Sequence, residues 1–193
     1  MDLTQGTLEE KKNRAKKMML WFGIVSLIMS FAGWTSAFIV SSSRPDWLKD
    51  FILPNAFITS TAVILISSLT FILAKRALKK DQLQAVTLWL LATLVLGIAF
   101  ILFQFIGFQQ IIDLGYNFTG PTSNVTMSYI YLIAIVHILH VAVGLICLLF
   151  VIYNHFKQKY QAGNMLGFEL AATFWHFIDI LWVYLFLFLY FVR

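Results

Sequence analysis

Long apolar runs alternate along this chain with short polar segments. Five such runs cover about residues 18–40, 53–74, 83–111, 127–153 and 168–192. Each exceeds the roughly 18 residues that mark a membrane-crossing helix. The pattern predicts an all-α integral membrane protein, a bundle of five transmembrane helices behind a polar, basic segment at residues 1–17. Thr7 and Glu10 have the spacing of a capping box, so a helix is expected to start there and run into the first span. Pro54 suits a first helical turn, where its missing N–H removes no bond. Arg44-Pro45 and Gly120-Pro121 mark breaks between spans. Small residues at helical spacing, Gly23, Ser26, Ser30 and Gly33 in span one and Ala56, Ser60 and Ser67 in span two, predict close approach of neighbouring helices.

Composition agrees with this reading. Hydrophobic residues make up 60% of the chain and charged residues 12%, about half the charge of a soluble domain. The net charge of +5 does not point to nucleic acid, because the cations sit in short segments between spans. With the N-terminus inside, the inner segments carry five, four and two Lys/Arg residues, against Arg44, Lys49 and Arg193 outside. That asymmetry predicts an N-in, C-out protein of the bacterial inner membrane, with a cytoplasmic N-terminus and a periplasmic C-terminus. Met18 to Val40 is too long for a signal core and lacks a small-x-small cleavage site, so a mature first span is expected. Cys147, the one cysteine, lies in an apolar run and reads as a packing residue. Asn117 and Asn124 open glycosylation sequons that read as chance matches beside a membrane.

The candidate chemistry is in spans four and five. Glu169, His176 and Asp179 step by three and four along span five, so they share a face. His137, His140 and Gly144 do the same in span four. Ionisable groups at this depth usually face protein and have a partner. At 1.5 Å per residue, His140 lies about 18 Å and Asp179 about 15 Å from the inner boundary, with His176 at about 10 Å. A level His140–Asp179 hydrogen bond or ion pair is therefore expected between neighbouring antiparallel spans. Haem ligation fits poorly, because His140 and His176 differ in depth by about 8 Å. A copper or zinc site lacks ligands beyond His137 and His140. A proton relay through Glu169, His176, Asp179 and His140 has the right residue types. A free-standing carrier lacks the broken-helix pairs and repeats of transporters. The residues alone favour an interhelical polar clamp.

Two motifs add a resemblance. Gly167-Phe168-Glu169, then Trp175-His176-Phe177, Asp179 and Trp182, resembles the closing helix of subunit III of the haem–copper oxidases. His137, Leu139, His140, Val141 and Gly144 resemble its H-G-L-H-V-x-x-G motif, with Ile138 in place of the glycine. The chain is similar to the short five-helix bacterial form, which lacks the first two of the family's usual seven helices. The glutamate common in the helix matching span one is missing from Val25-Ser26-Leu27-Ile28. The resemblance implies an accessory subunit of a terminal oxidase that reduces oxygen to water and moves protons. It implies no cofactor in this chain, haem and copper in partner subunit I, contact with subunits I and II, and a bound structural phospholipid. His137, His140, Glu169, Trp175, His176 and Asp179 would then serve packing or proton support. A quinol oxidase subunit, a nitric-oxide-reductase accessory protein and a b-type cytochrome are the alternatives.

Overall fold

The computed structural model describes residues 6–48, 53–120, 123–160 and 165–192. Lys49, Pro121 and Arg193 fall outside them. The described residues form α1 (Leu8–Ser41), α2 (Asn55–Lys79), α3 (Leu83–Asp113), α4 (Val125–Phe156) and α5 (Leu166–Phe191). All five are long and apolar enough to cross a membrane. Helices α1, α3 and α4 contain the apolar runs predicted for them, while α2 starts two residues later than its run and α5 ends one residue earlier. Thr7 Oγ1 accepts from Glu10 N–H at 3.3 Å, and Glu10 Oε2 accepts from Thr7 N–H at 2.9 Å. This capping box starts α1 well ahead of its apolar run. Asn124, one of the sequon residues, caps α4 by accepting from Thr126 N–H at 2.8 Å. Its side chain serves the fold directly.

Helices α2 to α5 close into a ring in which α2 packs on α3, α3 on α4, α4 on α5 and α5 back on α2. Helix α1 lies outside this ring against α4 and α5. Lipid tails are as apolar as leucine, so helix association here rests on close packing and interhelical hydrogen bonds. Two tryptophans of α5 supply both. Trp175, 1% exposed, crosses the ring interior. Its Nε1 donates to Ser67 Oγ of α2 at 3.2 Å. Its ring lies so close to α3 and α4 that an added Cβ would come within 2.8 Å of it at Gly97 and 3.2 Å at Gly144. At Gly97 a side chain would collide with the indole, whereas at Gly144 the nearest atom to an added Cβ is Ile178 Cδ1, at 2.7 Å. Two turns further along α5, Trp182 donates to Thr61 Oγ1 of α2 at 3.0 Å. Its ring packs on Phe100 of α3 at 5.2 Å and His137 of α4 at 5.0 Å. Each indole therefore ties α5 to all three other members of the ring.

Hydroxyl and amide pairs join α2 to α3, with Thr70 and Thr93 2.8 Å apart and Gln104 Nε2 donating to Ser60 Oγ at 2.8 Å. Ala56, Ser60 and Ser67 are buried as their spacing predicted. The small stripe of α1 behaves otherwise. An added Cβ at Gly23 or Gly33 would meet open space, so no helix of this chain approaches there. What holds α1 is the opposite file, Phe31 and Phe38, together with a 3.4 Å contact between Thr35 Oγ1 and the Tyr184 hydroxyl.

Candidate functional site

The residues singled out from the sequence divide between the ring interior and its rim. His137 is 0% exposed and sits among the rings of Phe31, Phe100 and Trp182, at centroid distances of 6.2, 6.0 and 5.0 Å. Neither ring nitrogen has a protein hydrogen-bond partner. Asp179, 1% exposed, lies between Trp175 and Trp182 on the face of α5 that bonds α2. Both its carboxyl oxygens also lack a hydrogen-bond partner. The Ser68 hydroxyl of α2 approaches this carboxyl short of hydrogen-bond geometry. It makes its own bond, at 2.7 Å, with His176 Nδ1. His176 also packs against Phe71 at 6.0 Å. Glu169, in the first turn of α5, pairs with Lys75 Nζ of α2 at 3.3 Å. A polar seam thus runs along the α2–α5 contact from Lys75–Glu169 through Ser68–His176 to Asp179.

The expected His140–Asp179 pair is not formed. The two are level, as the residue count predicted, because His137 faces Trp182 and Gly144 faces Trp175 across the same interface. Their directions differ. His140 turns toward α1, packs on Phe31 at 5.7 Å, and donates from Nδ1 to the Val136 carbonyl of its own helix at 2.7 Å. Asp179 turns toward α2. Helix rise sets height, but which side of a helix meets which neighbour depends on the ring and on where α1 docks. Two partners of the seam residues escaped sequence reasoning for the same reason, Ser68 of His176 and Lys75 of Glu169. Lys75 carried a usable signal, being the basic residue at the end of span two, level with Glu169 at the start of span five.

Among the described residues no three of His, Cys, Asp or Glu form a cluster. His137 and His140 share Phe31 as a neighbour, at 6.2 and 5.7 Å, while His137 alone meets Phe100 and Trp182. A groove of about 480 Å³ lies where α1 parts from α4 and α5, near the start of α5. Leu20, Phe150 and Phe174 line its apolar part, and Asn154 and Tyr160 its mouth.

The sequence profile described as "Cytochrome c oxidase subunit III" matches residues 3–193. The chain belongs to this family. Among relatives, it is 30% identical over 185 residues to cytochrome c oxidase subunit 3 of Alkalihalophilus pseudofirmus, covering 94% of this chain and 87% of the relative. It is 28% identical over 179 residues to cytochrome c oxidase subunit 3 of Bacillus sp. strain PS3, covering 92% and 84%. It is also 32% identical over 138 residues to cytochrome bo(3) ubiquinol oxidase subunit 3 of Buchnera aphidicola, covering 70% and 69%. Membership of the subunit III family accounts for the paired motifs. The glycine of the α4 motif and the first tryptophan of the α5 motif meet in space as Gly144 and Trp175.

Proposed function

We propose that this chain is the accessory subunit III of a terminal haem–copper oxidase in a respiratory membrane. The match to the family over residues 3–193 carries this reading. The redox centres belong to a partner subunit I, and this chain packs beside it, with subunit II in the same complex. The packing suits that role, because the ring interior is filled by Trp175, Trp182, Phe100 and Phe57. The basic N-terminal, α2–α3 and α4–α5 segments face the cytoplasm and the C-terminus faces the periplasm, following the charge asymmetry. The groove at Leu20, Phe150 and Tyr160 holds a structural phospholipid, its acyl chain against the apolar part and its headgroup at Asn154 and Tyr160.

The seam of Glu169, His176 and Asp179 supports proton uptake by the complex without carrying a redox step. A quinol oxidase is the second reading, favoured by the identity shared with the ubiquinol oxidase subunit of Buchnera aphidicola. One experiment tests the central reading. A tagged copy of the chain, purified gently from native membranes, is expected to bring with it a large haem-containing subunit and oxygen-reducing activity. Recovery of the chain alone, with a haem spectrum of its own, contradicts it. In the recovered complex, oxidation of cytochrome c or of ubiquinol identifies the electron donor.

A further inference from the structure

Helix α2 carries a series of hydroxyls, and one of them is used differently from its neighbours. Thr59, Ser60, Thr61 and Thr70 each donate to a carbonyl three or four residues back in their own helix, the ordinary use of a hydroxyl inside a helix. Ser68 turns across to α5 instead, where its Oγ lies 2.7 Å from His176 Nδ1. The same hydroxyl stands beside the Asp179 carboxyl. His176 and Asp179 are one turn apart on α5, so a single side chain of α2 reaches both.

The two ends of this set have different surroundings. Asp179 is buried, and both its oxygens lack a hydrogen-bond partner in the protein. His176 is half-buried against Phe71 and shares its face of α5 with the exposed Ile180. The charged groups along the contact are Lys75 of α2 and Glu169 of α5, paired two turns away. From α4 comes His137, packed on the ring of Trp182. A carboxylate enclosed without a partner is costly, whereas a carboxylic acid needs one acceptor for its proton. Ser68 Oγ is the acceptor at hand. A hydroxyl accepts on one side while it donates on the other, and a carboxyl turns readily about its broad terminal torsion. A small turn of Asp179 therefore completes a line from carboxyl to hydroxyl to imidazole.

We propose that Ser68 is the bridge of a proton relay between Asp179 and His176. At rest the Asp179 acid donates to Ser68 Oγ, and the Ser68 hydroxyl donates to His176 Nδ1, so both ends are neutral. On transfer the Asp179 proton passes to Ser68 Oγ and the former hydroxyl proton passes to His176 Nδ1. The Asp179 and Ser68 O–H bonds break, a new Ser68 O–H bond and an N–H bond form, and the total charge of the set is unchanged. A carboxylate and an imidazolium remain, with the hydroxyl reversed between them. Loss of the His176 Nε2 proton then empties the set by one proton, and its return refills it. The inference deepens the proton role proposed for the seam and rests on that reading for its use. Ser68 is a positioning residue in it.

The test uses the intact complex containing this chain. Difference infrared spectroscopy during transfer into heavy water follows the carboxylic acid C=O band that Asp179→Asn abolishes, with subunit content as the control for assembly. Ser68→Ala is expected to slow deuterium uptake at that band by about tenfold, the weight of one lost hydrogen bond. Ser68→Thr keeps the hydroxyl and is expected to restore the rate. His176→Gln removes the outer end with Ser68 in place; it is expected to slow uptake to the same degree and decides the matter if Ser68→Ala does not assemble. A wild-type complex without such a band overturns the relay. So does an unchanged rate in Ser68→Ala or His176→Gln, or a rate that stays slow in Ser68→Thr. Turnovers before inactivation, counted in the same variants, separate the relay from its use. Slowed uptake with undiminished turnovers supports the relay and contradicts the proton role of the seam, while slowed uptake with fewer turnovers supports both.

Discussion

Helix α5 has 26 residues and buries nine of them, whereas α1 has 34 and buries four. The difference is one of mechanism as much as of area. Helix α5 sends Trp175 and Trp182 across the ring, where each indole makes a hydrogen bond and meets three other helices. Helix α1 rests on the ring through one aromatic file and leaves its glycines open. In a bilayer, apolar exposure carries no penalty, so an outlying helix of this kind is stable without enclosure. Its free surface is available to lipid or to another subunit.

The most severe way to break this comparison is to empty the ring. Trp175→Ala removes the side chain that α2, α3 and α4 share, and is expected to destabilise the subunit by about 3–5 kcal/mol. Loss of this chain from the purified complex on mild heating is the readout. Filling the indole's space should act in the same direction with less force. Gly144→Val places a branched side chain against Trp175 and Ile178, with an expected loss of about 1–3 kcal/mol, measured as a lower midpoint of thermal release. Phe31→Ala tests the other side of the comparison. It should loosen α1 while leaving the ring intact, seen as faster proteolysis near the N-terminus with subunit III still bound.

Asp179→Leu sharpens the comparison within the ring itself. Both oxygens lack a hydrogen-bond partner in the protein, and an apolar replacement of such a group is near neutral or stabilising. The thermal midpoint should therefore hold or rise. Proton support by this residue would appear separately, as fewer turnovers before inactivation. The smallest effect is expected from Glu169→Gln. Its ion pair with Lys75 is about a third exposed on both sides, so about 0–1 kcal/mol is at stake, and thermal release should barely move.

Much of this architecture was legible in the residues. Length and hydropathy gave five helices, Thr7 and Glu10 gave the start of the first, and counting rise put His140 level with Asp179. Direction around each helix axis was not legible. His140 and Asp179 share a height but face α1 and α2, and nothing in either span says which neighbour lies on which side. The small residues show the same limit. Gly23 and Gly33 form a regular stripe and meet nothing, while Gly97 and Gly144, in different helices, close on one indole. A stripe is visible within one segment; a meeting of two segments around a third is not. The α4 and α5 motifs were recognisable as family features, but that Gly144 of the first lies against Trp175 and Ile178 of the second was not.

The claim that this chain sustains an oxidase without performing its chemistry is tested most directly by deleting it. The oxidase purified without subunit III should keep its haem content and its initial rate of oxygen consumption, and should inactivate after far fewer turnovers than the complete complex. Loss of haem, or of the initial rate, together with the chain would contradict that claim.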